Sequence, residues 1–152
     1  MRKSLPAMLI CVAVAFLPAI SGLAVETSGW YNELSKPPLT PPGWVFGPAW
    51  TTLYLTTGIA LYLIWRSPNR DKQGAYGLFG LHLVLNTSWT LVFFGLEQIG
   101  LALVVILTLL IIIGLCISRF NSINPWASRL FMPYFAWVAF ATYLNAGIAW
   151  LN

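Results

Sequence analysis

Charged residues divide this chain into five long apolar blocks. The uncharged runs cover Ser4–Val25, Pro37–Trp65, Gln73–Leu96, Gln98–Ser118 and Leu130–Asn152. Each reaches the roughly 20 residues that a helix needs to cross about 30 Å of hydrocarbon. Lipid offers no partner to a bare backbone amide, and these runs are too long and too evenly apolar for barrel strands, so the pattern predicts helices. The expected architecture is an all-α, five-transmembrane-helix bundle forming one domain over 1–152. Its helices are expected near 5–25, 44–65, 74–95, 99–118 and 128–150, with a long loop at 26–43.

Composition supports lipid as the solvent. Only 8% of residues are charged and 59% are hydrophobic, and mean hydropathy is +0.77, whereas a water-soluble domain carries about a quarter charged residues. The net charge of +4 forms no basic patch, so it is read as orientation information and not as nucleic-acid binding. Arg2 and Lys3, then Arg66, Arg70 and Lys72, then Arg119 and Arg129 all fall on one side if there are five spans, and only Lys36 falls on the other. The positive-inside rule then places the N-terminus inside, in a multi-pass membrane protein. Arg2 and Lys3 before an apolar stretch ending Ser21-Gly22-Leu23-Ala24 also have the form of a secretory signal. The length of that run, and Pro18 as a tolerable late kink, favour a first helix that is retained. Cys11 and Cys116 fall inside predicted helices, where a thiol behaves as a small hydrophobe.

The aromatic residues change the picture further. Trp44, Trp65, Trp126 and Trp150 lie near predicted helix ends, as an interfacial belt requires. Trp50, Trp89 and Trp137 lie deeper. Helical spacing puts Trp50 and Tyr54 on one face, Asn86, Trp89 and Phe93 on another, and Trp137, Ala141, Leu144 and Asn145 on a third. Two amides and several aromatics could line a cavity for a flat, largely apolar ligand with polar edges. They could equally form an aromatic core, with Ala141 allowing close helix approach and the amides bonding between helices. His82 is the one histidine and has no carboxylate or thiolate partner in the sequence, so no metal site is expected. No acid falls inside any run, which argues against a proton-coupled pump. Gly43 and Gly47 match a small-xxx-small packing pattern.

These residues resemble the TspO/MBR family, tryptophan-rich sensory proteins related to the mitochondrial translocator protein, the peripheral-type benzodiazepine receptor. Trp30-Tyr31 and Lys36-Pro37-Pro38 look like its first loop. Pro41-Pro42-Gly43-Trp44-Val45-Phe46-Gly47-Pro48-Ala49-Trp50, followed by Leu53-Tyr54, is similar to its most distinctive segment. Asn86-Thr87, Trp89 and Phe93-Phe94-Gly95 look like its third helix. Pro133-Tyr134, Trp137, Phe140-Ala141-Thr142 and Leu144-Asn145 look like its fifth.

The resemblance implies a five-helix bundle, commonly a homodimer, with a pocket under the first loop that takes porphyrins such as protoporphyrin IX and benzodiazepine-site ligands. It implies pocket positions at Tyr31, Asn86 and Trp89, sensitivity to side-chain size at Ala141, and a part for Trp50 and Trp137 in light-dependent porphyrin breakdown, with no cofactor beyond the porphyrin itself. The animal sterol motif is not matched, because the residues after Leu144 supply neither its Tyr nor its basic residue. A bacterial source fits the N-terminal Arg2 and Lys3. The functional expectation is a porphyrin-binding membrane receptor or regulator that promotes photo-oxidative porphyrin degradation. A transporter of porphyrins or other lipophiles is the alternative, and a purely structural role remains if nothing binds.

Overall fold

The computed structural model describes residues 4–25, 29–69 and 71–152. Arg2, Lys3 and Arg70, three of the basic residues that set the expected topology, lie outside them. Helices and turns make up the whole secondary structure of the described residues. In chain order they are α1 (Leu5–Ala15), α2 (Leu17–Ala24), α3 (Gly29–Glu33), a 3-10 turn at Gly43–Val45, α4 (Phe46–Arg66), α5 (Gln73–Thr90), which runs on as a π-turn at Leu91–Gly95, α6 (Ile99–Asn121) and α7 (Pro125–Leu151). Four stretches are long and apolar enough to cross a membrane: Leu5–Ala24, Gln73–Gly95, Ile99–Asn121 and Pro125–Leu151. The 21-residue α4 is as long as a span, but Thr51, Thr52, Thr56 and Thr57 make it more polar.

The first predicted helix is two. Ser4 caps α1, its hydroxyl accepting from the Ala7 amide at 3.4 Å. Pro18 has no N–H to give the Val14 carbonyl, and the chain tightens at Phe16 (φ −83°, ψ −3°) before α2 begins. The break redirects the chain: α1 packs along α4, and α2 packs along α5. Gly58 permits the first contact, since a Cβ there would come within 2.6 Å of Val12 Cα.

Other boundaries also differ from expectation. The fifth helix starts at Pro125, not near 128, because the Asn124 side chain accepts from the Trp126 amide at 3.0 Å and Pro125 needs no donor in the first turn. The fourth continues past residue 118 to Asn121, since Arg119 is favourably placed in a last turn. Charge sets both limits in the sequence, and the backbone ladder ignores it. The 26–43 loop holds α3 and a tight turn at Pro37–Thr40, with Leu39 at φ 68° and the Thr40 hydroxyl donating to the Pro37 carbonyl at 2.7 Å. After the π-turn, Glu97 (φ 56°) reverses the chain into α6.

The core lies where α4, α5, α6 and α7 meet, around Ile64, Phe79, Ile106, Ile113, Phe120 and Phe131. Cys116 is buried there as a free thiol, and Cys11 is buried on α1. One end of the bundle gathers Arg66, Lys72 and Arg119. There Arg119 pairs with Asp71, the Ser67 hydroxyl donates to the Ile123 carbonyl at 3.3 Å, and the Ser4 amide donates to the Tyr62 hydroxyl at 3.3 Å. Lys36 is at the opposite end, beside α3 and the last turn of α7.

Candidate functional site

A cavity of about 620 Å³ opens beneath the 29–43 segment, between α2, α4, α5 and α7. Eight of the ten side chains singled out in the sequence line it. Trp50 and Tyr54 come from α4, Trp89 from α5, Phe93 from the π-turn, Ala141, Leu144 and Asn145 from α7, and Tyr31 from α3. Their order follows from helical spacing, which carries each set on one face. The π-turn matters too. Its Leu96 amide reaches back to the Leu91 carbonyl at 2.9 Å. The wider winding adds a residue and turns Phe93 and Phe94 together toward the cavity.

The aromatic wall is continuous. Trp50 stacks on Tyr54 at 5.6 Å between ring centroids and lies 6.3 Å from Trp89, which in turn stacks on Phe93 at 5.6 Å. Polar edges are few and mostly committed. The Trp89 indole donates to the Asn145 side-chain carbonyl at 3.1 Å, and the Asn145 amide donates to the Ile99 carbonyl at 3.1 Å. Asn145 therefore ties α5, α6 and α7 together as well as facing the cavity.

Two expected residues are placed elsewhere. Asn86 is buried behind the wall. It accepts from the Tyr54 hydroxyl at 3.3 Å and donates to the Tyr134 hydroxyl at 2.8 Å, so its amide links α4, α5 and α7 instead of meeting the cavity. Trp137 lies against the back of Trp50, its ring perpendicular at 6.5 Å, and lines a separate shallow groove with Trp44, Pro48, Pro133 and Phe140. Its buried indole nitrogen has no hydrogen-bond partner among the described residues, and Phe46 lies 6.0 Å from its ring.

The roof is fastened at both ends. On one side Trp30 meets Phe93 at 5.6 Å and Tyr31 meets Phe94 at 5.7 Å. Burial here pushes the Tyr31 phenol above its ordinary pKa. On the other side, Asn152 exchanges two 3.0 Å hydrogen bonds with the Ser35 backbone, and the Tyr143 hydroxyl donates to the Pro38 carbonyl at 2.8 Å. Buried Pro37 fills the space left by Gly147, where a Cβ would come within 2.6 Å of the proline ring. Lys36 completes the rim. Its ammonium lies 4.7 Å from the centre of the Tyr31 ring and donates to the Asn32 and Leu34 carbonyls at 3.3 and 3.4 Å.

Sequence reasoning missed the α2 wall, formed by Phe16, Pro18, Ala19 and Gly22. The first apolar run is hydrophobic on every face, so no stripe distinguishes the cavity side. Thr90, Phe94 and Ile148 were also missed, although each neighbours a residue that spacing did select. His82 is 2% exposed, packed against Phe79, Phe131 and Tyr134, and its Nδ1 has no partner among the described residues. No cluster of three His, Cys, Asp or Glu that could hold a metal ion occurs among the described residues.

Comparison with known proteins gives one consistent result. The TspO/MBR family model matches residues 7–151. A tryptophan-rich protein TspO from Archaeoglobus fulgidus is 37% identical over 99% of this chain and 97% of its own length. A tryptophan-rich sensory protein from Cereibacter sphaeroides is 33% identical over 93% of this chain and 88% of its own. The human translocator protein is 41% identical over 76% of this chain and 70% of its own.

Proposed function

The chain belongs to the TspO/MBR family of multi-pass membrane proteins, and we propose that it is a porphyrin-binding receptor or regulator whose ligand lies in the cavity under the 29–43 segment. The observation that carries the reading is the combination of an aromatic cavity of about 620 Å³ with a cation, Lys36, on its rim. That volume lies within the range of small-molecule sites, which are mostly apolar with a few fixed polar groups. A flat macrocycle would stack against Trp50, Trp89 and Phe93, and its carboxylates would reach Lys36 and the Asn32 side chain. Ligands of the benzodiazepine-site type suit the same wall.

The proposed arrangement has five crossings, α4 being the fifth, with the N-terminus on the inner side. Family membership also suggests a homodimer, which light scattering of the detergent-solubilised protein tests.

Light-dependent degradation extends this reading. Dissolved dioxygen is the oxidant and bound porphyrin is itself the photosensitiser. The excited porphyrin takes an electron from the indole of Trp50 on the cavity wall and passes it to dioxygen, the oxidised indole recovers its electron from the macrocycle, and the porphyrin cation so formed combines with the superoxide. The protein then supplies orientation and excludes side reactions, and no acid or base on the wall is needed.

The test is a protoporphyrin IX titration of purified protein in the dark, followed by tryptophan quenching, with Trp50→Phe alongside. Saturable quenching that weakens in the variant supports the reading. Quenching that never saturates and is equal in both proteins means partition into the micelle. Illumination of the same samples, with the Soret band recorded, tests degradation. Bleaching at one rate in both proteins rejects a part for Trp50.

A further inference from the structure

The cavity has a clamped roof, and one of its walls is bridged where α2 begins by Phe16, edge-on to Tyr54 of α4 at 5.5 Å, and is more open beyond. The roof is held by aromatic contacts at Trp30 and Tyr31 and by Pro37, Tyr143 and Asn152 at its other end. The walls of α5 and α7 are bonded to each other through Trp89 and Asn145. The seam between α2 and α4 is different. The break at Phe16 takes α2 away from α4, with which α1 is packed, and lays it along α5.

Three residues bordering the cavity on this side, Gly22 on α2 and Gly47 and Thr51 on α4, are exposed. A Cβ built on Gly22 or Gly47 would meet no neighbour within 4 Å among the described residues. The remaining groups at the seam are apolar or aromatic: Phe16, Ala19, Phe46 and Trp50. Small residues at a helix–helix contact normally let backbones approach closely. Gly58 on α4 does this against Val12, whereas Gly22 and Gly47 have no such partner among the described residues.

We propose that flat apolar ligands enter and leave the cavity sideways, from the hydrocarbon layer, through the seam between α2 and α4, with Gly22 and Gly47 as its two sills. The inference rests on the ligand-binding reading above and adds the source of the ligand, the bilayer. A lipophile dissolved in lipid is already concentrated and desolvated on that side, and reaches the aromatic wall without crossing the polar loop. A side chain at either sill obstructs the passage but leaves the Trp50, Trp89 and Phe93 wall intact.

The experiment compares Gly22→Leu and Gly47→Leu with the parent protein in phosphatidylcholine vesicles. Protoporphyrin IX is delivered from ligand-loaded vesicles, and association and dissociation are followed by stopped-flow tryptophan quenching. Both substitutions put a better helix former into open space, so folding is expected to survive. Gly100→Leu, at an exposed glycine that does not border the cavity, is the control. The expected result is that association and dissociation both slow by about tenfold or more in the sill variants, because a barrier has been raised on the path itself, so that any change in the dissociation constant is smaller than the change in either rate. Unaltered rates with intact binding overturn the portal alone. The portal is likewise overturned if the double variant Tyr143→Phe/Asn152→Ala, which loosens the roof, speeds exchange while the sill variants do nothing. Absence of saturable binding in the parent protein overturns the binding reading, and the portal with it.

Discussion

Asn86, Asn145 and Trp137 show how much one residue's surroundings decide. In sequence the two asparagines are equivalent: each lies on an aromatic face within an apolar run. In the fold Asn145 borders the cavity, while Asn86 bridges the hydroxyls of Tyr54 and Tyr134 behind it. Replacing Asn86 with Leu strands both hydroxyls in the bundle interior. Interhelical hydrogen bonds in membranes contribute about 0.6 kcal/mol on average, so a loss of about 1 kcal/mol is expected, read as a lower thermal midpoint in detergent. Porphyrin affinity should change little, and a large loss of affinity with an unchanged midpoint would show Asn86 reaching the ligand.

The tryptophans separate in the same way. Trp50 faces the cavity and Trp137 supports it from behind. Trp50→Phe should weaken protoporphyrin IX binding about tenfold, on the scale of an aromatic contact, and Trp137→Phe by much less. Equal losses in the two titrations would mean that Trp137 joins the cavity when ligand is bound. Spacing could collect these residues on faces, but which side of a face meets empty space depends on how helices cross, and periodicity carries no information on that.

At the scale of elements, the apolar runs of the sequence were a good guide to where helices lie and a poor one to where they bend. Pro18 was legible as a kink, yet not that the break would pass the chain from α4 to α5 and leave a seam beside the cavity. The α1–α4 contact offers a direct check on that geometry. Gly58 meets Val12 backbone to backbone, so Gly58→Ala forces a Cβ to within 2.6 Å of Val12 Cα. Backbone cannot step aside as a flexible side chain can. Overpacking of this kind costs about 1–3 kcal/mol, which should appear as a lower thermal midpoint and lower yield from the membrane. Gly77→Ala on α5, which meets nothing within 4 Å among the described residues, should be neutral or slightly stabilising. Similar behaviour of the two variants would contradict the close crossing of α1 and α4. The long loop was the least legible element. Its four prolines fix φ and favour an extended path, but the fastening of Pro37 against Gly147 and of Ser35 against Asn152 joins residues more than a hundred positions apart.

For the whole molecule, the question is how many times the chain crosses. Four stretches are apolar enough by composition alone, and α4 is not among them. Its polarity is largely cancelled internally. Thr51 and Thr52 donate to the carbonyls of Gly47 and Pro48 at 2.9 Å, and Thr56 and Thr57 donate to those of Leu53 and Tyr54 at 2.9 and 3.1 Å. A hydroxyl bonded within its own helix costs lipid little. Moreover α4 packs along both α1 and α7, whose apolar residues shield it. Whole-chain charge favours five, because five crossings leave Lys36 alone opposite the other basic residues, whereas four would bring Lys36 to the side of Arg66, Lys72, Arg119 and Arg129 and strand Arg2 and Lys3 on the other. The two counts place the long loop differently. Five crossings put Thr40, before α4, on the opposite side of the membrane from Pro68, after it, and four put them together. Alkaline phosphatase and green fluorescent protein fused in turn after Thr40 and after Pro68 decide between them in a bacterial host. With five crossings the Thr40 fusion is active as phosphatase and dark as fluorophore, and the Pro68 fusion is the reverse. Two fusions that report the same side would remove α4 from the bilayer, and with it the membrane-facing seam at Gly47.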